Sequence, residues 1–84
     1  MGRRTRKSVD SKLAEFLATV ATSVLVQYGV DGRVKQVTQQ LDQNVWRIEL
    51  LTFDSSVPPT IMVRCSDATP PHVVRTAMVA ELGI

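Results

Sequence analysis

The chain contains one histidine, His72, and one cysteine, Cys65, so acid–base or nucleophilic chemistry would have to start from one of these or from its eight carboxylates. His72 follows Pro70-Pro71 at the start of a helical pattern, with no acidic residue within three positions to orient an imidazole. Cys65 alternates with Ile61 and Val63 in TIMVRCS, and a thiol on an apolar strand face behaves as a small hydrophobic group. The carboxylates are scattered along the chain, and none pairs with another for two-carboxylate catalysis. No glycine-rich phosphate loop, metal-ligand spacing or nucleophile elbow occurs. The expectation is a non-enzymatic protein with no cofactor, no metal and no small-molecule substrate.

The remaining chemistry is electrostatic. Arg3, Arg4, Arg6 and Lys7 place four of the ten cationic residues within five positions. From Ser8 onward six cations face eight carboxylates, a net charge of −2, so the pI of about 9.1 belongs to the first seven residues. Such a cluster neutralises phosphates without reading sequence, and guanidinium groups grip phosphate in two-pronged fashion. The reading is a small accessory or regulatory protein whose N-terminal Arg3, Arg4, Arg6 and Lys7 contact nucleic acid. A solvated tail, or contact with an acidic protein or membrane surface, would use the same charges.

These residues must be positioned by elements that the hydropathy pattern predicts. In LAEFLATVATSVLVQY, Leu13, Leu17, Val20, Val24 and Tyr28 recur at three- and four-residue steps, widened by Phe16, Ala21 and Leu25, which is the period of an amphipathic helix. Asp10 is the expected N-cap and Gly29 the stop. Residues 1–7 read as a basic flexible arm and 8–84 as a single α+β domain. Strands are expected over 33–41, 45–53 and 60–66, the first irregular enough to contain a bulge. Asp42-Gln43-Asn44 closes a hairpin, and the prolines of DSSVPP make 54–59 a loop. A second helix starts with Thr69 as cap and Pro70 at the first position, carries Val73, Val74, Ala77, Met78 and Leu82 on its apolar face, and ends at Gly83. The fold expected is helix–strand–strand–strand–helix, a three-stranded antiparallel meander with both helices on one face.

That arrangement puts Trp46, Ile48, Leu50, Ile61 and Val63 under the helices. It leaves Val37, Val45, Leu51, Phe53 and Met62 on the other face, around Lys35, Arg47, Glu49 and Arg64. Monomers seldom leave such a patch bare. The rival reading is therefore a protein-binding adaptor or inhibitor that acts through Val45, Arg47, Leu51, Phe53, Met62 and Arg64, with a homodimer as one form.

The element order resembles that of the double-stranded-RNA-binding domain, over Asp10 to Ile84. That family sets a lysine-rich cluster at the start of its second helix. Here the segment is Pro70-Pro71-His72-Val73-Val74-Arg75, with one cation, and the hairpin loop lacks the family's Gly, Pro and His. Only the order carries over.

A basic start followed by an apolar run is also the outline of a secretory signal. Asp10, Lys12 and Glu15 interrupt it, and the run is too short and too polar to span a bilayer. A single cysteine suits a reducing compartment. The expected location is cytoplasmic, away from membranes.

Overall fold

The computed structural model describes residues 3–42 and 44–84, with side chains from Lys12 onward apart from Gln43. Helix α1 spans Arg3–Gln27, 25 residues. No Gly or Pro occurs between Arg3 and Tyr28, and Arg and Lys are good helix formers, so nothing stops the helix from extending back through Asp10. The expected cap at Asp10 is thus corrected: the backbone of the stretch read as an arm is helical from Arg3. The side chains of Arg3, Arg4, Arg6 and Lys7 lie outside the described residues.

At its other end α1 closes as a Schellman motif. The Gly29 N–H donates to the Val26 carbonyl at 3.2 Å and the Val30 N–H to the Leu25 carbonyl at 2.9 Å. Gly29 takes φ 69°, a conformation that costs a side-chain-bearing residue strain, and Val30 packs back on the core. Tyr28 was expected on the buried stripe. The turn carries it outward and it is 47% exposed.

Strands β1 (Gly32–Gln39), β2 (Val45–Thr52) and β3 (Thr60–Arg64) form an antiparallel sheet in the order β1-β2-β3. Helix α2 spans Pro71–Leu82. The fold is the α+β meander expected, with shorter strands. β1 ends two residues before Leu41, which stands fully exposed at the hairpin tip. The Val45 N–H bonds the Asp42 carbonyl there at 2.8 Å.

The pairing of β1 with β2 shifts between Val34 and Gln36, so Lys35 is the extra residue of a bulge. Val34 sits opposite Leu50 and Val37 opposite Ile48, both buried positions. This corrects the placement of Val37 on the open face: the inserted residue turns it to the core, where it packs partly buried. At the start of β1, a Cβ on Gly32 would come within 2.7 Å of the Leu51 carbonyl oxygen and 2.9 Å of the Thr52 Cβ. The two strands meet that closely only because glycine is there.

The second helix begins one residue later than expected. Pro70 is the cap residue, at φ −63° and ψ 145°, and Pro71 opens the helix. Thr69 instead closes the preceding turn, its hydroxyl accepting the Ser66 N–H at 3.0 Å. Val73, expected on the apolar face, is 45% exposed, while Val74, Met78 and Leu82 are buried.

A single core lies between the sheet and the two helices, with α1 on β1, α2 on β3 and the helices touching. α1 supplies Leu17, Ala21, Val24 and Leu25; β2 supplies Trp46, Ile48 and Leu50; β3 supplies Ile61 and Val63, with Cys65 just beyond. Val57, from the loop after β2, is also 4% exposed, an insertion that loop composition does not announce. Urea unfolding followed by Trp46 fluorescence should rank the variants. Met78→Ala should lose about 2–5 kcal/mol, Gly32→Ala about 1–3 kcal/mol, and Tyr28→Ala less than about 0.5 kcal/mol.

Candidate functional site

The site is built from the alternation of β2. Trp46, Ile48 and Leu50 point into the core, so Val45, Arg47, Glu49 and Leu51 point the other way, and among the described residues the helices pack on the core side. The flanking strands follow the register. Arg33 lies opposite Leu51, Gln36 opposite Glu49, Thr38 opposite Arg47. On the other side Met62 lies opposite Arg47 and Arg64 opposite Val45. All six residues singled out for this face in the sequence stand together on it: Val45, Arg47, Leu51, Met62 and Arg64, with Phe53 just past the end of β2.

Its apolar members are uncovered. Phe53 is 88% exposed, Leu51 43% and Met62 42%, whereas Val45 is half-buried. The loop after β2 turns away from Phe53. The Asp54 carboxylate accepts the Ser56 N–H at 3.0 Å and the Ser56 hydroxyl at 2.6 Å, and Val57 goes into the core. Those two hydrogen bonds hold the Asp54 carboxyl below its ordinary pKa. Asp31, Gly32, Arg33, Leu51, Thr52 and Phe53 line a shallow hollow of about 300 Å³ at this end of the face.

Arg33 was not among the expected site residues. It lies before the bulge, opposite Leu51, and its two-residue spacing from Lys35 is the signal that could have found it. The three-residue spacing of Val34 and Val37 is the signal of the bulge itself.

The charges here are loosely held. Arg47 Nη2 lies 3.5 Å from Glu49 Oε2, and Arg64 Nη1 lies 3.6 Å from Asp42 Oδ2, with both arginines well exposed. Exposed pairs of this kind contribute about 0–1 kcal/mol and exchange partners readily. The four strand cations, Arg33, Lys35, Arg47 and Arg64, face a single strand carboxylate, Glu49, a net of +3. Since residues 8–84 carry −2 in all, the helices and loops of that stretch carry −5. The sheet is the positive side of a negative body.

The other candidates for chemistry are held apart. Cys65 is buried at the end of β3, and its carbonyl accepts the Trp46 indole N–H at 3.2 Å. Burial, with the Asp67 carboxylate adding to it, pushes the Cys65 thiol above its ordinary pKa. His72 is exposed on the first turn of α2. Among the described residues no three of His, Cys, Asp and Glu gather to hold a metal ion, and no helix is long and apolar enough to cross a membrane.

Comparison of the chain with protein-family models, with curated proteins and with solved structures finds no match.

Two outcomes are expected from this geometry. Phe53→Ser should change stability by less than about 0.5 kcal/mol in urea unfolding, because the ring is already in water. The raised thiol pKa acts at alkaline pH. Its contribution is fully present below the ordinary value of 9.0 and is lost as pH rises through the folded value, because the unfolded chain ionises first. Cys65→Ala should therefore flatten the decline of the urea midpoint as pH rises past the thiol's ordinary value of 9.0.

Proposed function

We propose that this chain is a non-catalytic protein-binding module whose open sheet face takes an acidic, partly apolar partner. The observation that supports this reading is the coincidence of exposed Leu51, Phe53 and Met62 with the strands' net +3 on an otherwise negative body. Removing Phe53 from water is worth roughly 1.5–3 kcal/mol, enough to anchor an interface. Arg33, Arg47 and Arg64 around it would draw in carboxylates and hold their register.

Stacking this face on a second copy sets the same arginines against one another, which disfavours the homodimer. Nucleic acid fits the face poorly, because a single-strand platform stacks successive bases on successive aromatics, and among the described residues of this face Phe53 is the one exposed aromatic, beside Val45, Leu51 and Met62.

A second reading rests on a separate observation, the four cations Arg3, Arg4, Arg6 and Lys7 at the start of α1. They suit nucleic-acid phosphates, and on that reading the chain is an accessory or regulatory protein that holds nucleic acid at one end.

The first reading is tested by titrating ¹⁵N-labelled protein with a peptide alternating Glu and Leu, and with its Lys and Leu counterpart. Amide shifts are expected at Arg33, Arg47, Leu51 and Met62 with the acidic peptide, and binding at least tenfold weaker in the Arg47→Glu, Phe53→Ser variant. No shift on this face overturns it. Sedimentation that shows a dimer, lost in Phe53→Ser, would replace the partner with a second copy. The second reading is tested by gel shifts at about 50 and 200 mM salt. A shift that weakens with salt, and is lost when all four cations are changed to Gln, supports it; the absence of any shift rejects it.

A further inference from the structure

We infer that the outer edge of β3 is a strand-addition site, at which an extended acidic segment of a partner chain becomes the fourth strand of the sheet. This rests on the protein-binding reading of the open face and specifies how the partner is held.

The edge can be read from its hydrogen bonds. The Leu50 N–H donates to the Pro59 carbonyl and the Cys65 N–H to the Asn44 carbonyl, each at 2.8 Å. In an antiparallel ladder the bonding residues alternate, so Pro59, Ile61, Val63 and Cys65 face β2. The backbone groups of Thr60, Met62 and Arg64 point away from it. β3 is the last strand of the sheet, and all three residues are exposed. The open edge has defined ends. Pro58 has no N–H to offer, and the Ser66 N–H is already taken by the Thr69 hydroxyl at 3.0 Å. Between them lies a run of three donors and three acceptors in regular extended geometry, the kind of edge that sheet-extending peptides use. The opposite edge is blunted, because the Lys35 bulge breaks the repeat of β1.

The side chains say what the strand must carry. Residues paired with Thr60, Met62 and Arg64 would place alternate side chains on the open face, beside these three. An apolar group there meets Met62, and a carboxylate meets Arg64, whose present partner Asp42 is an exposed contact at 3.6 Å. A second copy fits less well. β3 against its own copy, antiparallel about Met62, sets Arg64 opposite Thr60, provides no carboxylate, and joins two sheets that each carry +3. Nucleic acid cannot reproduce the contact, because its phosphate backbone offers acceptors and no donors.

The probe is an end-capped peptide, Thr-Glu-Val-Leu-Val-Thr-Thr, whose Glu, Leu and following Thr fall opposite Arg64, Met62 and Thr60 in antiparallel register. Amide hydrogen exchange and ¹⁵N shifts are read on the full chain. Saturating peptide is expected to slow exchange at Thr60, Met62 and Arg64 at least tenfold. N-methylation of the peptide at Leu, or replacement of its Glu by Lys, should weaken binding at least tenfold. So should Met62→Pro, which removes an outward donor from an edge strand; its folding is checked by Trp46 fluorescence, and the N-methyl peptide removes the reciprocal bond of the same residue pair, the one to the Met62 carbonyl, in unaltered protein. No saturable binding at millimolar peptide overturns the inference. So does binding that leaves these three amides unprotected, or equal binding of the Lys peptide. Unprotected edge amides with persisting shifts at Leu51 and Phe53 would sink strand addition alone, whereas silence across the whole face would sink the protein-binding reading as well. Protection already present in the free protein and lost on dilution would assign the edge to a second copy and overturn the acidic partner.

Discussion

β2 is hydrogen-bonded along both sides, so its side chains have only two directions in which to go, and the rest of the structure depends on how those directions are filled. Trp46, Ile48 and Leu50 take one side and are nearly fully buried. The two helices are just sufficient to cover that side, α1 over β1 and α2 over β3. Among the described residues the remaining elements are the strands themselves, so the other side is left open. Trp46 anchors the arrangement: its ring fills the core, and its indole N–H reaches the Cys65 carbonyl beyond the end of β3. No buried side-chain nitrogen or oxygen among the described residues is left without a partner, so the core side carries little unresolved polarity.

Apolar exposure and positive charge fall on the same side for a connected reason. A sheet face without a helix must be wetted by long polar side chains, and here these are mainly arginines, whose stems lie along neighbouring apolar surface while their heads stay in water. The bulge at Lys35 turns Val37 inward, while Arg33, which precedes it, lies opposite Leu51 and next to Phe53. Arginine beside exposed Leu, Met and Phe is the composition of interface centres rather than of ordinary solvated surface.

The two edges of the sheet differ in the segments that flank them in the chain. β3 is entered through Pro58-Pro59 and left through the Ser66–Thr69 turn, both of which limit its free backbone groups to a short central run. β1 is entered from the Gly29 turn and irregular at its middle. The loop before β3 is shaped by the hydrogen bonds of Asp54 with Ser56, which let Val57 enter the core and keep the chain off the open face.

Element identity and order were legible in the sequence, because periodicity, prolines and glycines act locally: the three-four repeat of α1, the strict alternation of VWRIELL and TIMVRC, and the stops at Gly29 and Gly83 need no distant partner. The identity of the open face was legible for the same reason on β2 and β3, where each side chain's direction is set by its neighbour's. What tertiary structure decided were the features that depend on contact between elements. Whether Val37 faced in or out depended on the pairing of β1 with β2. Whether Phe53 was covered depended on where the 54–59 loop went. The hydroxyl of Thr69 could cap α2 or close the turn to Ser66, and the Ser66 N–H took it. Tyr28 and Val73 satisfied the helical period yet lie where a helix meets solvent at its end. For Val37 and for the loop after Phe53 the burial of an apolar side chain, Val37 itself and Val57, makes the choice, whereas for Thr69 a hydrogen bond does.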